Sequence, residues 1–150
     1  MPTIGRVTEA DLGDLLVLMR AYCDFYEVAP SDEDLLALSQ ALIDNPIAEG
    51  VQFIGRADDG SAIGFATVFW SWATTSGGRQ GIMHDLYVNE AARGTGIARS
   101  LIDTCVDTAR EHGCVALIWQ TALDNQRAQT LYDRTGAEKS TWHEYGIEIN

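Results

Sequence analysis

Arg93, Gly94, Thr95, Gly96, Ile97 and Ala98 form the run "RGTGIA", which follows the apolar segment "IMHDLYV" and opens a helical pattern. Two glycines this close to a helix start suit an anion. The amides of a first helical turn lack internal acceptors and carry partial positive charge. Residues without a Cβ let phosphate oxygens reach that backbone. Arg93 adds a cation at the rim. The run is not a P-loop, since no Lys-Ser or Lys-Thr follows its glycines. Nor does it complete a dinucleotide fingerprint. The third glycine position falls on Arg99, and the connection from Asn89 to Gly94 is long for that tight turn. On these residues alone, a phosphate cradle and an ordinary glycine-rich connection weigh equally.

Asn125, Ala128 and Tyr132 tip that balance. Spaced by three and four, they share one face of a short helix. An amide, a small residue and a phenol make a poor core stripe and a serviceable ligand face. His84 and Asp85 stand inside the apolar segment. An imidazole with a pKa of about 6.5 takes up or releases a proton near neutral pH. The plainer alternatives are a histidine that only shapes a pocket and a tyrosine that only packs.

The elements that must position these groups follow from periodicity. A short strand is expected over residues 3–7. Leu12, Leu15, Leu16, Met19, Tyr22 and Tyr26 then recur at helical spacing, with Thr8 as N-cap and Asp11 completing a capping-box variant. A second helix lies in "APSDEDLLALSQALI", capped by Ser31, with acidic residues in its first turn and Asn45-Pro46 at its end. "VQFIGRA" and "SAIGFATVFWSW" flank an Asp-Gly turn and read as a hairpin. "TTSGGRQG" reads as a loop into the strand "IMHDLYV". A helix over 96–112 and a strand "CVALIWQ" follow, then the short helix "DNQRAQTLYDRTG" and a closing strand "TWHEYGIEI". The strand–helix–strand unit over 82–120 implies a parallel pair with a right-handed crossover. The fold class is α/β (α+β): a mixed, mostly antiparallel sheet with helices on both faces and a central parallel β-α-β unit, in one domain spanning residues 1–150.

The chain has 150 residues and a net charge of −12 from 22 acidic and 10 basic side chains. That balance argues against nucleic acid, which asks for a basic face. It is compatible with a cationic small substrate. Cys23, Cys105 and Cys114 form no CxxC pair, so neither a disulfide framework nor a metal site is expected. No leader-like or membrane-length apolar run is present in the sequence, which makes a cytoplasmic location without a membrane partner the default expectation.

"LYVNEAARGTGIARSLI" resembles the [RQ]xxGx[GA] loop of the GNAT superfamily of acyl-CoA-dependent N-acyltransferases. "LDNQRAQTLYDRTGA" resembles that superfamily's later N-x-x-A-x-x-x-Y segment. The element order agrees, and the likeness covers nearly the whole chain. "HDLYV" and "NQRAQTLY" look most like the diamine (spermidine/spermine-type) acetyltransferase branch, where Glu-Asp usually stands in place of His84-Asp85.

The resemblance implies acetyl-CoA as co-substrate and no metal. The pantetheine arm would lie along Leu86, Tyr87 and Val88 through backbone hydrogen bonds. The pyrophosphate would sit on Arg93, Gly94, Thr95, Gly96, Ile97, Ala98 and Arg99, with Asn125 and Ala128 flanking the coenzyme. Tyr132 would be the general acid. A thiolate leaves on acetyl transfer, and a phenol of pKa about 10 is still protonated at neutral pH to meet it. His84 would be the base for the amine. Strand alternation places His84, Leu86 and Val88 on one face and turns Asp85 away unless the strand is bulged. Tyr26, Glu27, Asp85 and Trp119 are the candidates for the acceptor pocket. The expected reaction is direct attack by a small-molecule amine in a ternary complex, and the likeness also implies a homodimer. Two alternatives stand beside it: a non-catalytic acyl-CoA-binding module, and an enzyme for protein lysine or N-terminal amines.

Overall fold

The Asp58-Asp59-Gly60 turn folds two β-rich runs against each other. On either side of it β2 (Gly50–Arg56) and β3 (Ala62–Ala73) pair antiparallel, with Gly50 opposite Phe69. The structure is a computed structural model that describes residues 1–150. It divides into two compact units, Met1–Gln120 and Thr121–Asn150.

In the first unit β1 (Thr3–Arg6) adds to β2, and β4 (Gly78–Val88) adds to β3, both antiparallel. β5 (Cys114–Ile118) joins β4 parallel, giving one sheet in the order β1-β2-β3-β4-β5. β4 starts earlier than periodicity suggests. Gly78 pairs with Ala73, so "TTSGGRQG" is half strand, and only residues 74–77 form the turn.

α1 (Leu12–Phe25) follows a short 3₁₀ turn whose Asp11 carboxylate accepts from the Thr8 amide at 2.9 Å and the Thr8 hydroxyl at 3.1 Å. α2 (Asp32–Asp44) starts at Ser31, whose hydroxyl accepts from the Asp34 amide at 3.1 Å. Both lay an apolar stripe on one face of the sheet. Leu15, Leu18, Met19, Cys23 and Leu35 are buried with Ile54 and Phe65. α3 (Ile97–Glu111) covers the other face with Ile97, Leu101, Ile102, Cys105 and Ala109. The two faces are told apart by neighbouring strand positions. Ile54 belongs to the α1 cluster, whereas the space beside Gly55 is filled by Ile97; Phe65 faces α1, whereas the space beside Gly64 is bounded by Leu101. This is the mixed, mostly antiparallel sheet with helices on both faces that the sequence implies.

The second unit contains α4 (Gln126–Asp133), capped by Asn125, whose side-chain oxygen accepts from the Ala128 amide at 3.2 Å. The closing strand expected over "TWHEYGIEI" does not form. Residues 138–150 have no regular structure, and Trp142 and Tyr145 are 84% and 92% exposed. The alternation is present, but a strand has no hydrogen bonds of its own and exists only beside a neighbour; this segment pairs with none.

Candidate active site

β4 carries one residue too many for its partner. Across β3, Thr67 pairs with Asp85 but Val68 pairs with Met83, so the register passes over His84. That is a β-bulge, and it places two successive side chains on the same side of the strand. Asp85 lies opposite Thr67, whose hydroxyl accepts from the Gln52 amide at 3.0 Å on the face covered by α1. His84 turns the same way, its ring 5.5 Å from that of Phe69 and its Nδ1 3.5 Å from Asp85 Oδ1. The expected alternation is therefore corrected. His84 does not share a face with Leu86 and Val88, which point toward α3, and Asp85 is not turned away. The side chain of His84 is 68% exposed and that of Asp85 18%. One ring is thus open to a ligand and one carboxylate is held in the wall behind it.

Aromatic rings frame this pair. Tyr22 on α1 meets Tyr26, Phe65 and Tyr87 edge-on, with centroids 5.0, 5.7 and 6.3 Å apart. Burial, reinforced by the negative charge of Asp85, pushes the Tyr22 phenol far above its usual pKa, so it remains a hydrogen-bond donor. Of the acceptor candidates, Tyr26 belongs to this ring cluster and is half exposed. Glu27 follows α1 in the left-handed region at φ +57°, with its side chain in solvent. Trp119 follows β5 directly and is half-buried. Tyr22 and Phe69 are the site residues that periodicity misses. Both read as core positions, and the one signal is the doublet His84-Asp85, which breaks alternation inside a strand.

Past the bulge, β4 loses its neighbour on the other side. The ladder to β5 ends at Ile82 opposite Ile118, so residues 83–88 pair with β3 alone. Leu86, Tyr87 and Val88 thus lie along an open edge, to which Leu86 and Val88 turn their backbone groups, the geometry that accepts an added extended chain.

The glycine run lies beyond this edge. Arg93 Nε donates to the Val88 carbonyl at 3.3 Å, and the Thr95 hydroxyl donates to the Ala92 carbonyl at 2.5 Å. Gly94 and Gly96 take φ +81° and +89°, where side chains are strained, and a Cβ built on either would meet nothing within 4 Å. The space over the loop is open. The first bond inside α3 runs from the Ser100 amide to the Gly96 carbonyl at 3.1 Å, so the amides of residues 97–99 precede the helical ladder. Ile97 fixes this helix start against Gly55. Arg99 pairs with Asp103 at 3.0 Å along the helix. A cradle of amides with room above it fits a pyrophosphate.

A cavity of about 410 Å³ opens elsewhere, between Val7, Glu9, Ser39, Leu42 and Val51, and none of the candidate residues lines it.

In the second unit, Asn125, Ala128 and Tyr132 fall on one side of α4, and all three are half-buried. The Asn125 side chain has a structural task of its own as the helix cap.

The sequence profile of the acetyltransferase (GNAT) family matches residues 15–137. The uncharacterized N-acetyltransferase YhfO of Bacillus subtilis is 29% identical over 138 residues, covering 92% of this chain and 91% of that protein. Thialysine N-epsilon-acetyltransferase of Bos taurus is 27% identical, covering 97% of this chain and 91% of that protein. A solved structure described as a probable acetyltransferase superposes with a TM-score of 0.85 at 27% identity, covering 99% of this chain and 98% of that one.

Proposed function

The chain belongs to the acetyltransferase (GNAT) family and is an acyl-CoA-dependent N-acetyltransferase, and from that premise we propose that it transfers an acetyl group from acetyl-CoA to a primary amine of a small molecule by direct attack in a ternary complex. The observation that carries this reading is the bulge. It sets a histidine and a carboxylate on one face of β4, immediately before an edge open to an extended acyl carrier.

Acetyl-CoA supplies an activated thioester. Leu86, Tyr87 and Val88 hold its arm through their backbone, and Arg93, Gly94, Thr95, Gly96, Ile97, Ala98 and Arg99 hold its pyrophosphate. Asn125 and Ala128 contribute from α4. The amine nitrogen attacks the acyl carbon, a C–N bond forms, and the C–S bond breaks. His84 accepts the amine's proton, directly or through a water, and Tyr132 gives one to the departing thiolate. Asp85 holds the cationic amine before attack and steadies the imidazolium afterwards, a role that its position 3.5 Å from Nδ1 supports. Tyr26, Glu27 and Trp119 belong to the acceptor pocket. With no cysteine on this strand or loop, the reaction needs no acetyl-enzyme. Positioning and electrostatics supply most of the acceleration.

No helix is long and apolar enough to cross a membrane. Cys23, Cys105 and Cys114 are free thiols, which supports a reducing compartment such as the cytoplasm. Val115 and Ile118 are exposed on β5 and support a homodimer, which sedimentation tests.

The function is tested by thiol release from acetyl-CoA against polyamines, amino acids, aminoglycosides and peptides. Turnover confined to one class of small amine is the expected result. Coenzyme binding without turnover across the panel overturns the reading. In His84→Gln the acidic limb of the kcat/KM profile should vanish; a retained limb excludes His84 as the titrating base.

A further inference from the structure

We propose that Tyr22 is a positioning residue whose hydroxyl clamps the β4 bulge, holding His84 and Asp85 in the orientation that meets the amine. The inference rests on the acetyltransfer reading of β4 and extends it to a residue on α1.

A bulge disturbs the ladder where the extra residue stands, and the displaced backbone groups need partners from elsewhere. The Tyr22 hydroxyl donates to the carbonyl of His84 at 3.4 Å. Burial, reinforced by the negative charge of Asp85, keeps this phenol protonated and able to donate. At 3.4 Å the carbonyl arm is long for a hydroxyl donor.

The ring that carries this hydroxyl has little freedom. Edge-on contacts with Tyr26, Phe65 and Tyr87 surround it, and α1 is anchored beneath it by Leu15, Leu18 and Met19. From the sheet side, Thr67 stands opposite Asp85 and is itself held by Gln52. The bulge is therefore gripped by a helix above and a strand beside it. The Tyr22 hydroxyl reaches the backbone of the bulge residue itself. Misplacing a catalytic group by a fraction of an ångström is costly, so a single hydroxyl outside the reacting set has leverage on turnover.

The test compares Tyr22→Phe with Tyr22→Leu. Phenylalanine keeps the packing and removes only the hydroxyl. In Tyr22→Phe, amide exchange at residues 83–86 should accelerate about tenfold, the scale of one lost hydrogen bond. The kcat for the amine should fall about tenfold, while KM for acetyl-CoA stays within about twofold. A Phe variant with native exchange and native kcat, beside an impaired Leu variant, reduces Tyr22 to packing and overturns the proposal. Faster exchange with unchanged kcat also overturns it, as does lower kcat with unchanged exchange. If the native protein releases no thiol with any amine, the acetyltransfer reading fails, and the exchange measurement then decides the clamp alone.

Discussion

Gly64 stands opposite Val88 at the end of the strand proposed to carry the coenzyme's arm. A Cβ placed there would lie 2.8 Å from the Tyr87 carbonyl oxygen, 3.3 Å from Val88 Cγ2 and 3.4 Å from Leu101 Cδ1. The nearest of these is backbone and cannot rotate away, so Gly64→Ala must push the end of β4 outward. Overpacking of this kind costs about 1–3 kcal/mol, and the lost chain entropy of the unfolded state returns about 0.4–1 kcal/mol. The net loss is about 1–2 kcal/mol, or ~2–8 °C in Tm for a chain of this size. Gly55→Ala is the control. There the nearest atoms are Ile97 Cδ1 at 3.1 Å and Cγ1 at 3.2 Å, the end of a side chain that can turn aside. Its net effect should lie within ~1 kcal/mol of zero. Thermal melts and urea midpoints measure both. Pushing the end of β4 outward also moves Leu86 and Val88 on the proposed rail, so KM for acetyl-CoA should rise about fivefold in Gly64→Ala, the scale of one weakened hydrogen bond. Equal stability of the two variants refutes the steric reasoning. A destabilised Gly64→Ala with native KM removes the strand end from coenzyme binding.

Tyr132→Phe should lower kcat about 100-fold, the loss typical of a missing general acid, with coenzyme affinity within about twofold by calorimetry; native turnover would take the acid role from Tyr132. A further prediction concerns Arg56, which donates to Asp11 at 2.7 Å and to Asp14 at 2.8 Å and ties the start of α1 to β2. Burial alone would raise the pKa of Asp11, but the bonds from Arg56 and Thr8 outweigh it and hold the carboxyl below its usual range. A group depressed in this way stabilises the fold above its unfolded pKa of about 3.9, and that contribution is lost as pH falls through the folded value. Asp11→Asn should therefore cost about 1 kcal/mol at pH 7, with the gap to the native protein closing under acid. Urea melts at both pH values check the sign, and a gap that widens in acid contradicts it.

Hydrophobic spacing is clearest for α1, α2, α3 and the central strands, which bury a stripe or face whose period is written in the residues, whereas β1, β5 and α4 are legible without a fully buried residue. Leu15, Leu18 and Met19 on α1, and Leu101, Ile102 and Cys105 on α3, are such stripes. The last strand is absent for a physical reason. Trp142, Tyr145, Ile147 and Ile149 have strand-like composition, but pairing is a property of two segments and only one is written there. The bulge was hidden in a similar way. Alternation assumes that every residue on a strand has an opposite number, whereas the register skip is decided jointly by β3 and β4. Gly94 and Gly96 were legible because their left-handed backbone is a demand on the residue itself. Tyr22 was legible only as a core residue, since nothing in the helical period distinguishes a ring that packs from a hydroxyl that reaches across to β4.

The single skipped register position divides the labour of β4. Without it, His84 would face α3 together with Leu86 and Val88, and Asp85 alone would face α1. With it, both polar side chains go to the α1 face and leave the α3 face apolar, while the backbone edge beyond Ile82 parts from β5. The α1 face of β4 thus carries an imidazole and a carboxylate, and the strand goes on into an open edge where we place the acyl donor. This also accounts for how the chain tolerates histidine where the related branch has glutamate. A lone neutral imidazole would attract a cationic amine poorly. An imidazole beside a carboxylate keeps a negative charge at the site in the state in which it accepts a proton. The pair, rather than either residue, stands where the diamine-type branch that the chain resembles usually has Glu-Asp. On this argument Asp85→Asn should raise KM for a cationic amine more than His84→Gln does, whereas His84→Gln should lower kcat more. The reverse ordering would assign substrate charge to His84 and proton transfer to Asp85.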